Sequence, residues 1–315
     1  MTGLVPVLLV TGFLGAGKTT VVNGMLAHAE GRRIAAVVND FGAINIDAEL
    51  VASASGGALD GVVSLANGCI CCTLEGDLLR TLASLLRRDP RPEHIVIESS
   101  GIADPADIVR NLMDPAVFRE APLDTVLCVV DAAAPATMQE DALFRAQLRA
   151  ADVVALSKAD LVDAAGLARI RTAVAAIKPQ AVVVEAAHGL LPAALLFPAD
   201  PDCPPAPRET GPRRGPVADR FETLSWTSRR PVSLPRLQRA IGRLASKLAR
   251  AKGFFETTEE PGQSMLFQLA GGRATLTTAT AAPPPGTPCV RIVFIAELGR
   301  LSAAEIDEAM ERCTN

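Results

Sequence analysis

The sequence predicts an α/β domain built on a mostly parallel sheet, followed by a smaller α+β domain. Short apolar runs alternate with helical segments through the first 197 residues, which is the pattern of a parallel sheet covered by helices. Residues 198–217 are rich in proline, glycine and charge, as linkers are. Short strand-like runs and two helical segments follow. We therefore expect a first domain at residues 1–197, a linker at 198–217 and a second domain at 218–315.

Six apolar runs are predicted as the strands of the first domain, because they are short, continuous and bounded by turn residues. These runs are residues 4–10, 32–40, 94–101, 125–132, 152–160 and 181–187. Helices are predicted between most of them, for example at 76–88 and 140–151. The carboxyl ends of parallel strands meet at one edge of a sheet, where binding sites form. The charged residues at these ends are Asp40, Glu98, Asp131, Lys158 and Asp160.

The second domain is predicted to contain a largely antiparallel sheet with two helices. Its candidate strands are residues 220–226, 251–258, 264–270, 273–280 and 289–296. Helices are predicted at 233–251 and 302–313. The basic residues of the first helix predict a solvated face, and a docking surface for an acidic partner is the alternative. These basic residues are Arg236, Arg239, Arg243, Lys247 and Arg250.

The composition of the chain argues against several classes of protein. The chain has 315 residues, of which 49% are hydrophobic, so it can bury a substantial core. Its net charge of −4 gives no general attraction to nucleic acid. We recognise no secretory signal, and no window approaches the roughly 18 apolar residues of a membrane span. We expect a cytoplasmic protein whose seven cysteines do not form disulfides.

A phosphate-binding loop is predicted directly after the first strand. Residues 12–19, GFLGAGKT, match the pattern G-x-x-x-x-G-K-[ST] and precede a helical segment, which is the context that such a loop requires. The glycines let backbone N–H groups surround phosphates, Lys18 reaches the β- and γ-phosphates, and the Thr19 hydroxyl binds Mg²⁺. A glycine-rich turn that matches by chance is the alternative, which the context disfavours. The residues expected to hold the nucleotide here are Gly12, Gly15, Ala16, Gly17, Lys18, Thr19 and Thr20.

Two further strand ends refine the prediction of a nucleotide site. Glu98 follows an apolar strand, where a carboxylate can bind Mg²⁺ or orient water, and the backbone N–H of Gly101 can face a γ-phosphate. A solvated strand end is the alternative for Glu98. In the K-x-D pair of Lys158 and Asp160, the carboxylate can accept both N1–H and N2–H of guanine while the lysine stem lies along the base. This pair favours GTP over ATP, and Lys18, Glu98 and Gly101 are the predicted catalytic residues.

Three cysteines, Cys69, Cys71 and Cys72, lie within four positions of one another. Thiolates are preferred ligands of Zn²⁺ and similar soft ions, and a tetrahedral ion bound by three cysteines keeps one open position for an incoming ligand. Such an open site suits metal transfer, whereas a closed four-cysteine site is structural. A redox-active thiol cluster and buried core cysteines are the alternatives. Because the motif lies between the phosphate loop and Glu98 in sequence, we expect the metal and the nucleotide to be coupled.

The chain resembles the CobW-type metal-handling P-loop GTPases, which are related to UreG and HypB. The matching stretches, in order, are GFLGAGKTT, VVNDFGAINID, NGCICC, ESSGIADP and SKADL, and later LSWTSRRP and LARAKGFF. The resemblance spans nearly the whole chain, and the CxCC motif is its most specific part. The chain departs from the family pattern at Ser157, where asparagine is common, at Asp40, where glutamate is common, and in having no histidine-rich loop.

The resemblance implies a P-loop NTPase domain and a CobW-like C-terminal domain. It also implies a cytosolic GTPase that inserts or delivers a transition metal, usually Zn²⁺ or Co²⁺. Asp40, at the end of the second predicted strand, is a further candidate metal ligand. The hypothesis is a GTP-hydrolysing metallochaperone that binds its metal at CxCC and delivers it to a client metalloprotein. The alternative is a GTPase that activates a metalloenzyme by binding it, with a purely structural metal at the cysteines. A small-molecule kinase is disfavoured by the K-x-D pair, and a homodimer is left open.

Overall fold

The computed structural model describes residues 4–29, 32–38, 62–64, 74–134, 140–197, 221–270, 273–279 and 286–314. The chain divides into two compact units, Met1–Leu191 and Pro192–Asn315. The predicted linker at 198–217 lies outside the described residues, so the predicted domain boundaries stay a prediction. No helix in the described part of the chain is long and apolar enough to cross a bilayer.

The first unit contains a seven-stranded sheet in which every neighbouring pair of strands is parallel. Its strands are β1 (Val7–Thr11), β2 (Ile34–Val38), β3 (Val62–Ser64), β4 (His94–Glu98), β5 (Leu123–Asp131), β6 (Val153–Ser157) and β7 (Val182–Ala186). Their order across the sheet is β3-β2-β4-β1-β5-β6-β7. The predicted α/β class is confirmed. The sequence prediction has no counterpart of β3, because three residues are too few to show a periodic pattern.

Helices connect the strands of this sheet. They are α1 (Lys18–Ala27), α2 (Leu74–Leu86), α3 (Pro105–Leu112), α4 (Pro115–Phe118), α5 (Ala142–Ala150) and α6 (Ala164–Ile177). Helices α3, α5 and α6 begin at aspartate caps, because the side chains of Asp104, Asp141 and Asp163 accept hydrogen bonds from backbone N–H groups of the first turn. Helix α1 differs, since its N-cap is Gly17 and no side chain caps it.

The parallel sheet buries apolar side chains on both faces. Leu78, Leu82 and Leu85 of α2 pack in one cluster with Leu112 of α3 and with alternate residues of β1, β2 and β4. A second cluster packs α5 and α6 on β5 and β6. Helix α1 leads from β1 towards β2, opposite in direction to the later crossovers, so a right-handed connection places it on the other face. All of these crossovers begin at the carboxyl edge of the sheet, where the predicted nucleotide residues lie.

The second unit contains a five-stranded antiparallel sheet with helices packed on it. Its elements are α7 (Ala193–Leu196), β8 (Phe221–Ser228), α8 (Leu234–Leu244), β9 (Leu248–Glu256), β10 (Ser264–Ala270), β11 (Arg273–Thr278), β12 (Val290–Glu297) and α9 (Ala303–Glu311). The strands lie in the order β11-β10-β9-β12-β8. Trp226, Phe255 and Phe294 of the sheet share one core cluster with Leu237 of α8 and Met310 of α9. The predicted α+β class of this part is confirmed.

Helix α8 is shorter than the sequence predicts. One helix is expected over 233–251, whereas α8 ends at Leu244 and β9 begins at Leu248. The physical reason is that β9 lies between two strands and exchanges backbone hydrogen bonds with both β10 and β12. Arg250 therefore belongs to a strand and not to a basic helix face. Its guanidinium donates to the carbonyl oxygen of Leu195 at 2.6 Å.

Lys247 is also engaged within the second unit. Helix α9 starts with a capping box formed by Ser302 and Glu305, and Lys247 donates to the carboxylate of the same Glu305. This contact lowers the pKa of Glu305 to about 2. The stabilisation is fully present at pH values above the ordinary pKa of a glutamate, and it is lost as the pH falls from there towards about 2.

Candidate functional site

The carboxyl edge of the parallel sheet brings the predicted nucleotide residues together. Strand register pairs Val10 of β1 with Glu98 of β4, and Asp131 of β5 with Ser157 of β6. Because β1 and β5 are also neighbours, the segments after all four strands leave the sheet side by side. This edge therefore carries the phosphate-binding loop of residues 12–19, here called the glycine loop. It also carries the turn after Glu98 and the K-x-D pair.

The glycine loop is held by backbone geometry that other residues rarely adopt. Gly12, Gly15 and Gly17 have φ angles of 141°, 71° and 90°. A Cβ on Gly12 would lie 2.2 Å from the carbonyl oxygen of Val129, so the loop runs directly over the backbone of β5. Because no side chain caps α1, the positive end of its dipole faces the loop without a side-chain acceptor. The loop and the helix together form a site for an anion.

Lys18 is turned back over the glycine loop. Its Nζ donates to the carbonyl oxygen of Phe13 at 3.1 Å, and the residue is only 8% exposed. The ammonium charge therefore lies at the loop and not in bulk solvent. Its field reaches Cys128 of β5, where it opposes the larger effect of burial, which raises the pKa of that thiol to about 12.

Thr19 and Glu98, the predicted Mg²⁺ ligands, are in direct contact. The Thr19 hydroxyl donates to Oε1 of Glu98 at 2.9 Å across 79 positions of sequence. Glu98 is 3% exposed, so the alternative of a solvated strand end does not describe it. A buried carboxylate beside a hydroxyl offers the hard oxygen ligands that Mg²⁺ prefers. The chemistry of these two groups therefore fits a magnesium ion.

Gly101 lies against the glycine loop. A Cβ at this position would be 2.7 Å from the backbone nitrogen of Leu14 and 2.9 Å from the Cα of the same residue. A larger residue would push the loop and the turn after β4 apart. The position of this turn is therefore tied to the position of the loop.

Ser157 braces the glycine loop from the other side. Its hydroxyl donates to the carbonyl oxygen of Ala16 at 2.6 Å, and the carbonyl oxygen of Val130 is a longer alternative acceptor at 3.3 Å. Ser157 is 6% exposed, and a Cβ on Gly17 would lie 3.7 Å from its side chain. Ser157, one of the positions at which the chain departs from the family pattern, thus holds the loop.

The K-x-D pair is split between two environments. Lys158 has a left-handed φ of 53°, and its Nζ binds Oδ2 of Asp131 at 2.6 Å. The other carboxylate oxygen of Asp131 accepts the backbone N–H of Ala133 at 2.9 Å, which fixes the carboxylate. Asp160 lies in the 3₁₀ turn Ala159–Leu161 and is exposed. The Lys158 stem is therefore held in place, whereas the Asp160 carboxylate is open to a ligand.

Most of the chain matches two known domain families. Residues 6–185 match the CobW/HypB/UreG nucleotide-binding domain, and residues 221–314 match the cobalamin synthesis protein CobW C-terminal domain. The chain belongs to the CobW/HypB/UreG family. The resemblance seen in the sequence motifs is thereby confirmed.

Relatives of this CobW-family chain include two proteins named as zinc chaperones. It is 36% identical over 221 residues to the zinc chaperone CobW of Sinorhizobium sp, and the match covers 62% of each chain. It is 32% identical over 278 residues to the zinc chaperone YjiA of Escherichia coli (strain K12), covering 84% of this chain and 85% of YjiA. The crystal structure of Zn(II)-bound YjiA GTPase from E. coli covers 99% of this chain and 100% of its own, with 26% identity and a TM-score of 0.48. The match to the Sinorhizobium protein spans less than two thirds of that protein.

Four of the predicted metal ligands of this CobW-family chain lie outside the described residues. They are Cys69, Cys71, Cys72 and Asp40. Within the described ranges, no group of three or more histidine, cysteine, aspartate and glutamate side chains could hold a metal ion. The metal site therefore stays a prediction from the sequence.

The described residues on either side of the CxCC motif show where that segment is attached. Strand β3 ends at Ser64, and α2 begins at Leu74. In the sheet register, Ser64 pairs with Val38, and Val38 pairs with Glu98. The segment that carries the cysteines thus leaves the sheet level with Glu98, two strands away, a separation of about 10 Å.

The turn after β7 packs against α1, the helix that follows the glycine loop of this CobW-type domain. Gly189 has a φ of 79°, and a Cβ there would lie 2.5 Å from the carbonyl oxygen of Thr20. A Cβ on Gly24, one turn along α1, would lie 2.4 Å from the carbonyl oxygen of Gly189. Thr20 is therefore placed on the face of α1 that packs against this turn. The only sequence signal for this contact is an isolated glycine after a strand.

Sequence reasoning also missed Gln147 of α5. The residue is fully buried, and its Nε2 donates to the carbonyl oxygens of Gly101 at 3.2 Å and Ala103 at 3.4 Å. Its sequence signal is a polar residue among the buried positions of a helix, and that signal alone names no partner. The contact joins α5 to the turn that lies against the glycine loop.

Proposed function

We propose that the chain is a GTP-hydrolysing metallochaperone that binds Zn²⁺ or Co²⁺ at Cys69, Cys71 and Cys72 and delivers it to a client metalloprotein. The observation that carries the nucleotide part is the contact between Thr19 and Glu98 beside the glycine loop. The metal part is supported by the CxCC motif and by the zinc chaperone names of two relatives.

In this proposal the glycine loop binds the phosphates of GTP. Its backbone N–H groups surround them, and Lys18 supplies positive charge at the β- and γ-phosphates. Thr19 and Glu98 hold Mg²⁺, which neutralises the charge on the phosphates. Because the Thr19 hydroxyl donates to Glu98, the lone pairs of its oxygen are left for the ion. The backbone N–H of Gly101 faces the γ-phosphate. The rate of GTP hydrolysis without a partner protein is low, on the order of 10⁻⁴ to 10⁻² s⁻¹.

Asp160→Asn should change the base preference of the protein. The substitution replaces one acceptor by a donor that opposes the N1–H of guanine, so GTP affinity should fall about tenfold to a hundredfold while xanthosine triphosphate binds relatively better. Competition binding with GTP, xanthosine triphosphate and ATP measures this change. Asp107→Asn, at an exposed position of α3, is the matched control and should leave all three affinities unchanged. Equal affinity of the wild type for ATP and GTP would contradict the role of Lys158 and Asp160.

The proposed switch couples the metal to the γ-phosphate. GTP and Mg²⁺ order residues 40–47, the CxCC segment and the Glu98–Gly101 turn, and this state holds the metal. Hydrolysis removes the γ-phosphate contacts and favours release. The attachment of the CxCC segment level with Glu98 supports this coupling. A change from mostly loaded to mostly released requires about a 10⁴-fold difference in metal affinity between the two states.

The test is a Zn²⁺ titration of the wild type with a non-hydrolysable GTP analogue, with GDP and without nucleotide. The affinity should be highest with the analogue, and Zn²⁺ should raise the affinity for the analogue by the same factor, as linkage requires. Release of Zn²⁺ to a chromophoric chelator should then follow the addition of GTP with the kinetics of hydrolysis. Equal Zn²⁺ affinity in all three states, with no release on hydrolysis, would favour the alternative of an activating GTPase with a structural metal.

A further inference from the structure

Gln147 is a buried amide whose two ends have unequal surroundings. Its Nε2 reaches two carbonyl oxygens, those of Gly101 and Ala103. Its Oε1 is buried and has no hydrogen-bond partner among the described residues. A buried acceptor without a partner carries a desolvation cost that an apolar side chain of similar size would avoid. What a glutamine offers here, and an apolar side chain of similar size does not, is the donor end that holds these two carbonyl oxygens.

The two carbonyl groups that Gln147 holds belong to the turn that touches the glycine loop. Gly101 approaches the backbone of Leu14 so closely that a Cβ would be 2.7 Å from its nitrogen. A shift of this turn would therefore move either the loop or the backbone N–H of Gly101. Gln147 lies on α5 and Phe144 and Leu148 of the same helix are buried, so the amide is mounted on a packed element.

We propose that Gln147 is a positioning residue for the γ-phosphate, which fixes the turn 99–103 so that the Gly101 backbone N–H is aimed at that group. This inference rests on the proposed GTP site. It assigns to α5 the discrimination between nucleoside triphosphate and diphosphate. GDP has no γ-phosphate to receive the Gly101 N–H, so its binding depends on this turn only through the glycine loop, which Ser157 also holds.

Ser157 provides the contrast that makes the inference testable. It lies in the strand that follows α5, and its hydroxyl holds Ala16 of the glycine loop itself. That loop contacts the phosphates that GTP and GDP share. Loss of the Ser157 hydroxyl should therefore weaken both nucleotides, whereas loss of the Gln147 donor should weaken the triphosphate alone.

The experiment measures affinity for GDP and for the β,γ-imido analogue of GTP, both with Mg²⁺, in the full chain. Gln147→Met keeps the side-chain volume and removes the donor, and we expect the affinity for the analogue to fall about tenfold while that for GDP stays within about twofold. Ser157→Ala should lower both affinities by a similar factor. Gln238→Met, at an exposed position of α8, should change neither.

Several results would overturn the role of Gln147. An unchanged ratio of the two affinities in Gln147→Met, or an equal fall of both, would show a structural residue only. If Gln147→Met does not fold, Gln147→Leu tests the same point, since it also lacks the donor and adds no buried charge. It must lower affinity for the analogue selectively. A wild type that does not bind the analogue would contradict the proposed GTP site itself, whereas a normal wild type with an indifferent Gln147 variant would contradict only this inference.

Discussion

Lys18→Ala should reduce GTP binding and hydrolysis below detection. The ammonium group of Lys18 lies at the glycine loop, because its Nζ donates to the carbonyl oxygen of Phe13 and the residue is 8% exposed. Its removal takes away the main positive charge expected at the β- and γ-phosphates. Isothermal titration with the non-hydrolysable analogue and a phosphate-release assay would measure the two losses.

The matched control for this prediction is Lys178→Ala. Lys178 follows α6 and also donates its Nζ to a backbone carbonyl oxygen, that of Arg149, at 3.0 Å. The control therefore removes a lysine and a contact of the same kind at a position away from the loop, and GTP turnover should be unchanged. Circular dichroism should show that Lys18→Ala is folded. Full turnover by a folded Lys18→Ala protein would contradict the nucleotide site.

Replacing Cys69, Cys71 and Cys72 together by serine should remove one tight Zn²⁺ or Co²⁺ site per chain. Hydroxyl groups stay protonated at neutral pH and are poor ligands for soft ions. GTP should still bind, since the glycine loop is formed by separate residues, but metal should no longer alter GTP affinity. Co²⁺ absorption offers a direct measurement, because thiolate-to-cobalt charge-transfer bands should appear with the wild type and be missing in the variant.

The three cysteines that the structure describes should contribute little to this signal. Burial raises the pKa of the Cys128 thiol to about 12 and also raises the pKa of the Cys313 thiol, so both stay protonated at neutral pH. Cys289 is half-buried, and its thiol contacts the carbonyl oxygen of Arg229. Cys289→Ser is therefore the matched control and should keep the bands. Bands that persist in the triple variant, or a wild type without bands and without metal-dependent GTP affinity, would contradict the metallochaperone proposal.

The glycine loop of the first unit could be predicted because the sequence features that indicate it lie close together in the chain. A glycine loop between an apolar strand and a helix is encoded within residues 4–26, and the φ angles of its glycines are those that only glycine adopts freely. The meeting of Thr19 with Glu98 follows from one further rule, that parallel strands end at a common edge. The roles of these residues towards GTP and Mg²⁺ stay predictions.

The contacts that hold the glycine loop and its neighbouring turns in place could not be predicted, because they join residues far apart in sequence. The motif shows that Lys158 is present but not that it binds Asp131. No periodic pattern in the sequence indicates the Ser157 contact with Ala16 or the Gln147 contact with Gly101. Each contact depends on which strands become neighbours in the sheet. Likewise, the pattern at 233–251 suits a helix, and only pairing with two strands turns its last residues into β9.

The sequence by itself determined which chemical groups this protein possesses: a glycine loop with Lys18 and Thr19, carboxylates at strand ends, and three clustered cysteines. These are short-range patterns, in which spacing alone carries the chemistry. The tertiary structure decided how the groups are oriented. The strand order places β1 between β4 and β5, and this order puts Gly101 against Leu14 and sets Gln147 behind it. Orientation depends on such long-range contacts because a buried polar group takes whichever partner the packing of the whole sheet brings within hydrogen-bonding distance.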